Sequence, residues 1–312
     1  MKHGILLNQK KTSCSIYESG FDIKEILKRN TTHYTLDYKE TEANLPGYSF
    51  FPYDFALINW HPHTLRIGKT LINRFKCPVI AIVEEVGQDD YLPFTPDWFD
   101  AYLIIDPTKK KKDRFYPFPR PLIDNIPTKP LLDSDKLVFG SFGLYSHQFA
   151  DEKRFGEVIT EANKTGRKCI VRINLPVPAF TSTSLQMIAQ YGVWLKSLAK
   201  ANVEVIITHN YMEKNELVAW LSEHNANCFP YYRNRPGLSA VTDQSISAGR
   251  GIITTECDTF RHLHEYISYY PKQSYEELVE SSVSGVEKMK EDWSEDAFRE
   301  KFVSMLKELG VI

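Results

Sequence analysis

Residues 228–264 read CFPYYRNRPGLSAVTDQSISAGRGIITTECDTFRHLH, and this stretch decides the fold. An aromatic and basic loop, Tyr231-Tyr232-Arg233-Asn234-Arg235, runs through Pro236-Gly237 to Ser239, which can cap a helix reaching about Ala248. Gly249 ends that helix. The β-branched run Gly251-Ile252-Ile253-Thr254-Thr255 then predicts a short buried strand, with Glu256-Cys257-Asp258 at its carboxyl end. Loop, helix, strand and loop in that order suit a phosphorylated ligand: a glycine admits close backbone approach, and the first-turn N–H groups and helix dipole favour an anion. Arg233 and Arg235 would add charge-assisted hydrogen bonds. The alternative is a surface helix with solvated arginines.

GLSAVTDQSISAGRGIITT resembles the donor-binding segment of GT-B glycosyltransferases: a Gly-Leu pair, a helix of small residues, a glycine and a strand. The resemblance implies two doubly wound α/β lobes facing a cleft. It places a nucleotide-sugar diphosphate against Tyr231, Arg233, Arg235, Gly237, Leu238, Ser239 and Ala240, with Asp243 on the ribose and Glu256 close by. Common retaining members carry two glutamates here; this chain has Arg233 or Asn234 at one place and Asp243 or Gln244 at the other.

Upstream of the segment, Leu137 to Phe142 predicts a strand, and Gly140-Ser141-Phe142-Gly143 resembles the glycine-bearing first loop of a GT-B donor domain without a full GxGxxG signature. A helix follows from about Asp151 to Lys164, with Lys153 and Arg154 near its start. Arg172, inside the strand Lys168 to Leu175, needs a partner: either a structural ion pair or the diphosphate. The strand Val203 to Thr208 ends at His209, again where open α/β sheets bind ligands.

The amino-terminal half alternates in the same way. Strands are expected at Lys2 to Leu7, Thr32 to Tyr38, Asp54 to Trp60, Cys77 to Val83 and Phe99 to Ile105, with helices at Ser19 to Lys28 and Leu65 to Phe75. His61 follows the third strand directly, and Glu84 and Glu85 follow the fourth; adjacent residues of an extended segment face opposite ways, so one of the two carboxylates could face the cleft. If the reaction inverts the anomeric centre, His61, then Glu84 or Glu85, is the expected base. His61, His63, His262 and His264 as a metal set would need a further ligand nearby. Asp133-Ser134-Asp135 looks like a metal-binding DxD motif, but it precedes a strand instead of ending one. No metal site and no cofactor beyond the donor are expected.

Lys109–Lys112, four consecutive lysines, lead into a proline-rich stretch through Pro130 that predicts an extended connector between domains. The expected division is an acceptor-side domain over 1–130, a nucleotide-sugar domain over 131–290 and a terminal helix over 291–312 packing back on the first. Ser294-Glu295-Asp296 starts that helix. With 312 residues and 42% hydrophobic content, two ordinary domains fit. A net charge of -2 gives no basic field for nucleic acid or membrane. Five scattered cysteines and no long apolar run predict a reducing, cytoplasmic setting. The function implied is sugar transfer from a nucleotide sugar to a carbohydrate acceptor; a nucleotide-sugar epimerase or hydrolase, or a non-catalytic two-lobed binding protein, are the alternatives.

Overall fold

The computed structural model describes residues 1–10, 14–29, 31–42, 52–124, 126–143, 154–177, 184–232 and 236–312. The sequence-predicted Lys153, Arg233 and Arg235 lie outside them. The chain divides into two compact units: Met1–Ile123 with Arg235–Leu238 and Trp293–Ile312, and Asp124–Asn234 with Ser239–Asp292.

The first unit is built on six strands, β1 (Lys2–Gln9), β2 (Tyr34–Thr41), β3 (Phe55–Asn59), β4 (Val79–Val83), β5 (Ala101–Ile105) and β6 (Phe115–Phe118). All pair in parallel, in the order β2-β1-β3-β4-β5-β6. The runs FALIN, VIAIV and AYLII are buried at every position, as strands covered on both faces must be. Because side chains alternate across a strand, Leu57, Ile80 and Ile82 join one core layer while Ala56, Ile58 and Ala81 join the other. The proline-rich stretch contributes β6, a strand the sequence reading passed over. Pro117 is tolerated there because β6 lies at the sheet edge, where a missing N–H leaves no ladder bond unmade.

Helices α1 (Ser15–Lys28) and the four-residue α2 (Lys69–Ile72) belong to this unit; α2 is far shorter than the periodicity from Leu65 to Phe75 suggests. In place of its first turn, His61 and Leu65 exchange backbone hydrogen bonds across a tight turn.

The second unit carries β7 (Leu137–Phe142), α3 (Arg154–Lys164), β8 (Cys169–Asn174), α4 (Leu185–Ser197), β9 (Val203–Thr208), α5 (Lys214–Leu221), β10 (Ala226–Phe229), α6 (Val241–Ser247), β11 (Gly251–Thr254) and α7 (Tyr275–Asp292). Its parallel sheet runs β11-β10-β7-β8-β9. Helix α6 is shorter than the sequence predicts, and its cap position is Ala240 in place of Ser239, without a side-chain cap bond.

Under α5 the packing is specific. A Cβ on Gly140 would stand 1.9 Å from His224 Nδ1, so the glycine is what admits the imidazole. Arg172 pairs with Glu223, lies 3.4 Å from His224 Nε2 and sits over the Trp220 ring. Buried Ser141 donates to the Cys228 carbonyl at 2.7 Å and ties β7 to β10. No helix among the described residues is long and apolar enough to cross a membrane.

The last helix, α8 (Glu295–Glu308), starts on Ser294, whose side chain accepts from the Ala297 N–H. Its Phe298, Phe302, Met305 and Leu306 recur at helical spacing and join the core beside α1 in the first unit. Two ring contacts of Phe302, with Tyr34 at 5.5 Å and Phe55 at 5.9 Å, fix it there.

Two stability measurements follow from this packing. Phe302→Ala should cost about 3–5 kcal/mol in denaturant unfolding, because it opens a cavity among fully buried rings. His224 should make stability pH-dependent. Burial, the largest cause, pushes its imidazole down to about 3; the Arg172 charge acts the same way, Asn227 and Glu223 the opposite. Between about pH 6.5 and that value the unfolded chain takes up a proton that the native state refuses, so stability falls as pH falls, by at most about 1.4 kcal/mol per pH unit. A pH series on His224→Gln should show a shallower slope in that window; an unchanged slope would free His224 of the effect.

Candidate functional site

Both sheets change direction of winding at one pair of strands, and a doubly wound sheet binds ligands at the carboxyl ends of such a pair. In the second unit the pair is β7 and β10. Gly143 closes β7 with φ +149°, its N–H donating to the Asn174 carbonyl at 3.2 Å, and a Cβ there would lie 2.7 Å from Arg154 Nη2. The Arg154 guanidinium stands 4.8 Å from the ring centre of buried Tyr231, just past β10, and 4.4 Å from that of Phe155. A cation is thus held at the mouth of the switch point. Sequence reasoning left Arg154 out of the site; the signal was its place at the start of the helix that follows the Gly140–Gly143 strand end.

Around this mouth, Tyr232 donates its hydroxyl to Glu157, one turn past Arg154 on α3. Burial raises the Glu157 carboxyl while the Tyr232 hydrogen bond lowers it, and burial together with Glu157 raises the Tyr232 phenol. Ser239 is buried, its N–H bonded to the Thr259 carbonyl at 3.1 Å. On α6, Asp243 is buried, 3.4 Å from the Thr242 hydroxyl, which also lies 3.1 Å from His262 Nε2. Glu256 is exposed beyond β11, and it raises the Tyr269 phenol through a hydrogen bond.

Several sequence-predicted ligand residues also make contacts within the unit. Gly140 admits His224, the Ser141 hydroxyl serves Cys228, and Phe142 packs edge-on to Phe229 at 5.5 Å. Of the two partners left open for Arg172, the geometry realises the ion pair, on the side where Glu223 and His224 lead into the amino end of β10. His209 lies beyond the edge strand β9, with Nδ1 3.1 Å from the Leu175 carbonyl. The DxD-like Asp133 accepts from the backbone N–H groups of Asp135 and Lys136, which makes it a turn residue.

In the first unit the switch falls between β1 and β3, whose ends are joined by Asn59 Nδ2 donating to Asn8 Oδ1 at 2.9 Å. His61 follows immediately. Its Nδ1 accepts from the His63 N–H at 3.3 Å, and its Nε2 lies 3.6 Å from Glu85 Oε2. Glu85 is partly exposed and available to a ligand, whereas buried Glu84 faces Arg120 Nη1 at 3.3 Å, with both side chains under 5% exposed. Glu84 is thus engaged in a buried ion pair, while Glu85 is the more exposed of the two carboxylates at this strand end. The Gly-Leu pair reaches the same strand end. Gly237 has φ +91°, donates to the Val86 carbonyl at 2.9 Å, and would bring a Cβ to 3.3 Å from the Glu84 carbonyl. Leu238 is buried beside it.

No protein-family model matches the chain, and no curated protein matches it. Solved structures do. Anabaena HepE in complex with UDP and glucose aligns with a TM-score of 0.66 at 8% identity, over 99% of this chain and 100% of that one. The α,α-trehalose 6-phosphate synthase of Burkholderia multivorans gives 0.63 at 9%, over 99% of each chain. The UDP-forming α,α-trehalose-phosphate synthase of Burkholderia xenovorans, in complex with glucose-6-phosphate, gives 0.59 at 11%, over 99% and 100%. At such identities the likeness is one of fold, and the two parallel, doubly wound α/β units of this chain have the GT-B fold.

Proposed function

We propose that this protein is a glycosyltransferase that takes a sugar from a nucleoside diphosphate sugar and delivers it to an acceptor hydroxyl. The observation that carries the reading is Arg154, a guanidinium held against Tyr231 and over the left-handed Gly143 at the switch point of the second unit. A diphosphate leaving group needs positive charge where its own charge develops. Arg154 would supply it, with Arg233 and Arg235 as the further cations of the segment. The HepE structure, with UDP and glucose bound, shares the fold and supports the same ligand class.

Arginines in that role make the transfer metal-independent in this proposal. Asp243, in the first turn of α6, would accept from the ribose hydroxyls, as the resemblance implies. On the acceptor side His61 and Glu85 are the candidates to contact the hydroxyl, and the acceptor is a carbohydrate.

Thermal unfolding with UDP, GDP, ADP, CMP and dTDP tests the donor half, since a ligand bound only by the native state raises stability. At least one diphosphate should stabilise the protein, and Arg154→Ala should weaken that ligand by about 1.5–3 kcal/mol, the range of a charge-assisted hydrogen bond. Stabilisation by none of the five would sink the reading. With the matching sugar nucleotide and a panel of sugars, glycoside formation should survive excess EDTA. Consumption of donor without a glycoside would make the protein a hydrolase or epimerase, and loss of transfer with EDTA would refute the metal-independent step.

A further inference from the structure

Helix α3 presents Arg154, Glu157 and Glu161 on one face, at i, i+3 and i+7. Each meets a tyrosine of the sheet's carboxyl edge: Arg154 lies over Tyr231, Glu157 accepts from Tyr232, and Glu161 accepts from Tyr270 at 3.0 Å. Two of these rings have an evident structural part, since Tyr231 is buried and Tyr270 faces the ring of buried Tyr275 at 5.3 Å. Tyr232 differs: the residue is 61% exposed while its hydroxyl is tied to a half-buried carboxylate. An exposed aromatic face fixed by its polar end has already lost the rotational freedom that a stacking partner would otherwise have to remove.

We propose that Tyr232 is the platform on which the base of the donor nucleotide stacks, with Glu157 as the residue that positions the ring. The proposal rests on the donor reading given above. Its geometry follows from the spacing on α3. Arg154 marks the diphosphate, and Glu157 lies three residues on, about 4.5 Å along the helix axis, the order of the ribose that separates a base from its phosphates. Stacking uses the π face that every base has, so the platform sets affinity for nucleotides over bare phosphates and leaves the choice among bases to other groups.

The test compares UDP with inorganic pyrophosphate by calorimetry. Tyr232→Ala should weaken UDP about 5- to 100-fold and leave pyrophosphate unchanged. Arg154→Ala should weaken both. Tyr232→Trp should restore UDP binding, and Glu157→Gln, which keeps a weaker acceptor for the hydroxyl, should give a smaller loss than Tyr232→Ala. An unchanged UDP affinity in Tyr232→Ala, or equal losses for UDP and pyrophosphate, would overturn the proposal while leaving the donor reading intact. If Tyr232→Ala changes only the saturation by a sugar acceptor, the ring serves the acceptor, and the proposal is likewise overturned. Wild-type protein that binds none of the five nucleotides defeats the donor reading instead. Because the residue is mostly exposed, Tyr232→Ala should unfold close to the wild-type temperature, so a loss of binding reports the site.

Discussion

Parallel pairing of β7 with β10 is the constraint on which the second unit depends. Chain order would place β8 beside β7 on one side, and the chain must wind back to set β10 on the other. Ser141 holds the two together through the Cys228 carbonyl, and below that bond Gly140 lets the His224 ring in. Above it the crossovers diverge, and Gly143, Tyr231 and Arg154 occupy the space they leave. The lower half of the strand pair is packed to the limit of a missing Cβ, and at the upper end a guanidinium lies against an aromatic ring. Tight packing and a charged, aromatic end thus share the length of the same two strands.

The first unit obeys the same logic with other residues. Asn8 and Asn59 bridge its switch point, and Arg120 neutralises Glu84 at the next strand end. Glu85, one residue on, keeps a carboxylate in reach of solvent beside His61 Nε2. Two neighbouring glutamates differ in surroundings because one lies against a buried guanidinium and the other beside a histidine.

Much of the fold was legible because its signal is local. The apolar runs at β3, β4 and β5 announce strands buried on both faces, and Ser294 announces the start of α8. The strands β6 and β10 escaped for local reasons too: one hides behind prolines that only an edge position tolerates, the other is four residues long with a buried asparagine in its middle. The site was less legible, since its assignments depend on pairs far apart in the chain. Arg172 with Glu223 and Arg120 with Glu84 are separated by 51 and 36 residues, and no periodicity in one sequence encodes such pairing. Arg154 was missed because a lone arginine at a helix start looks the same whether it faces solvent or a glycine.

The origin of α8 has a bearing on synthesis. The core beside α1 closes only when Phe298, Phe302 and Leu306 arrive, yet these follow every residue of the second unit in the order of translation. The second unit can therefore complete its sheet on the ribosome while the first, though begun earlier, waits with the Phe55 and Tyr34 rings uncovered. Domains usually mature from the amino end as they emerge. This connectivity predicts the inverse order, with the amino-terminal sheet as the part whose exposed apolar face would call for a chaperone during synthesis.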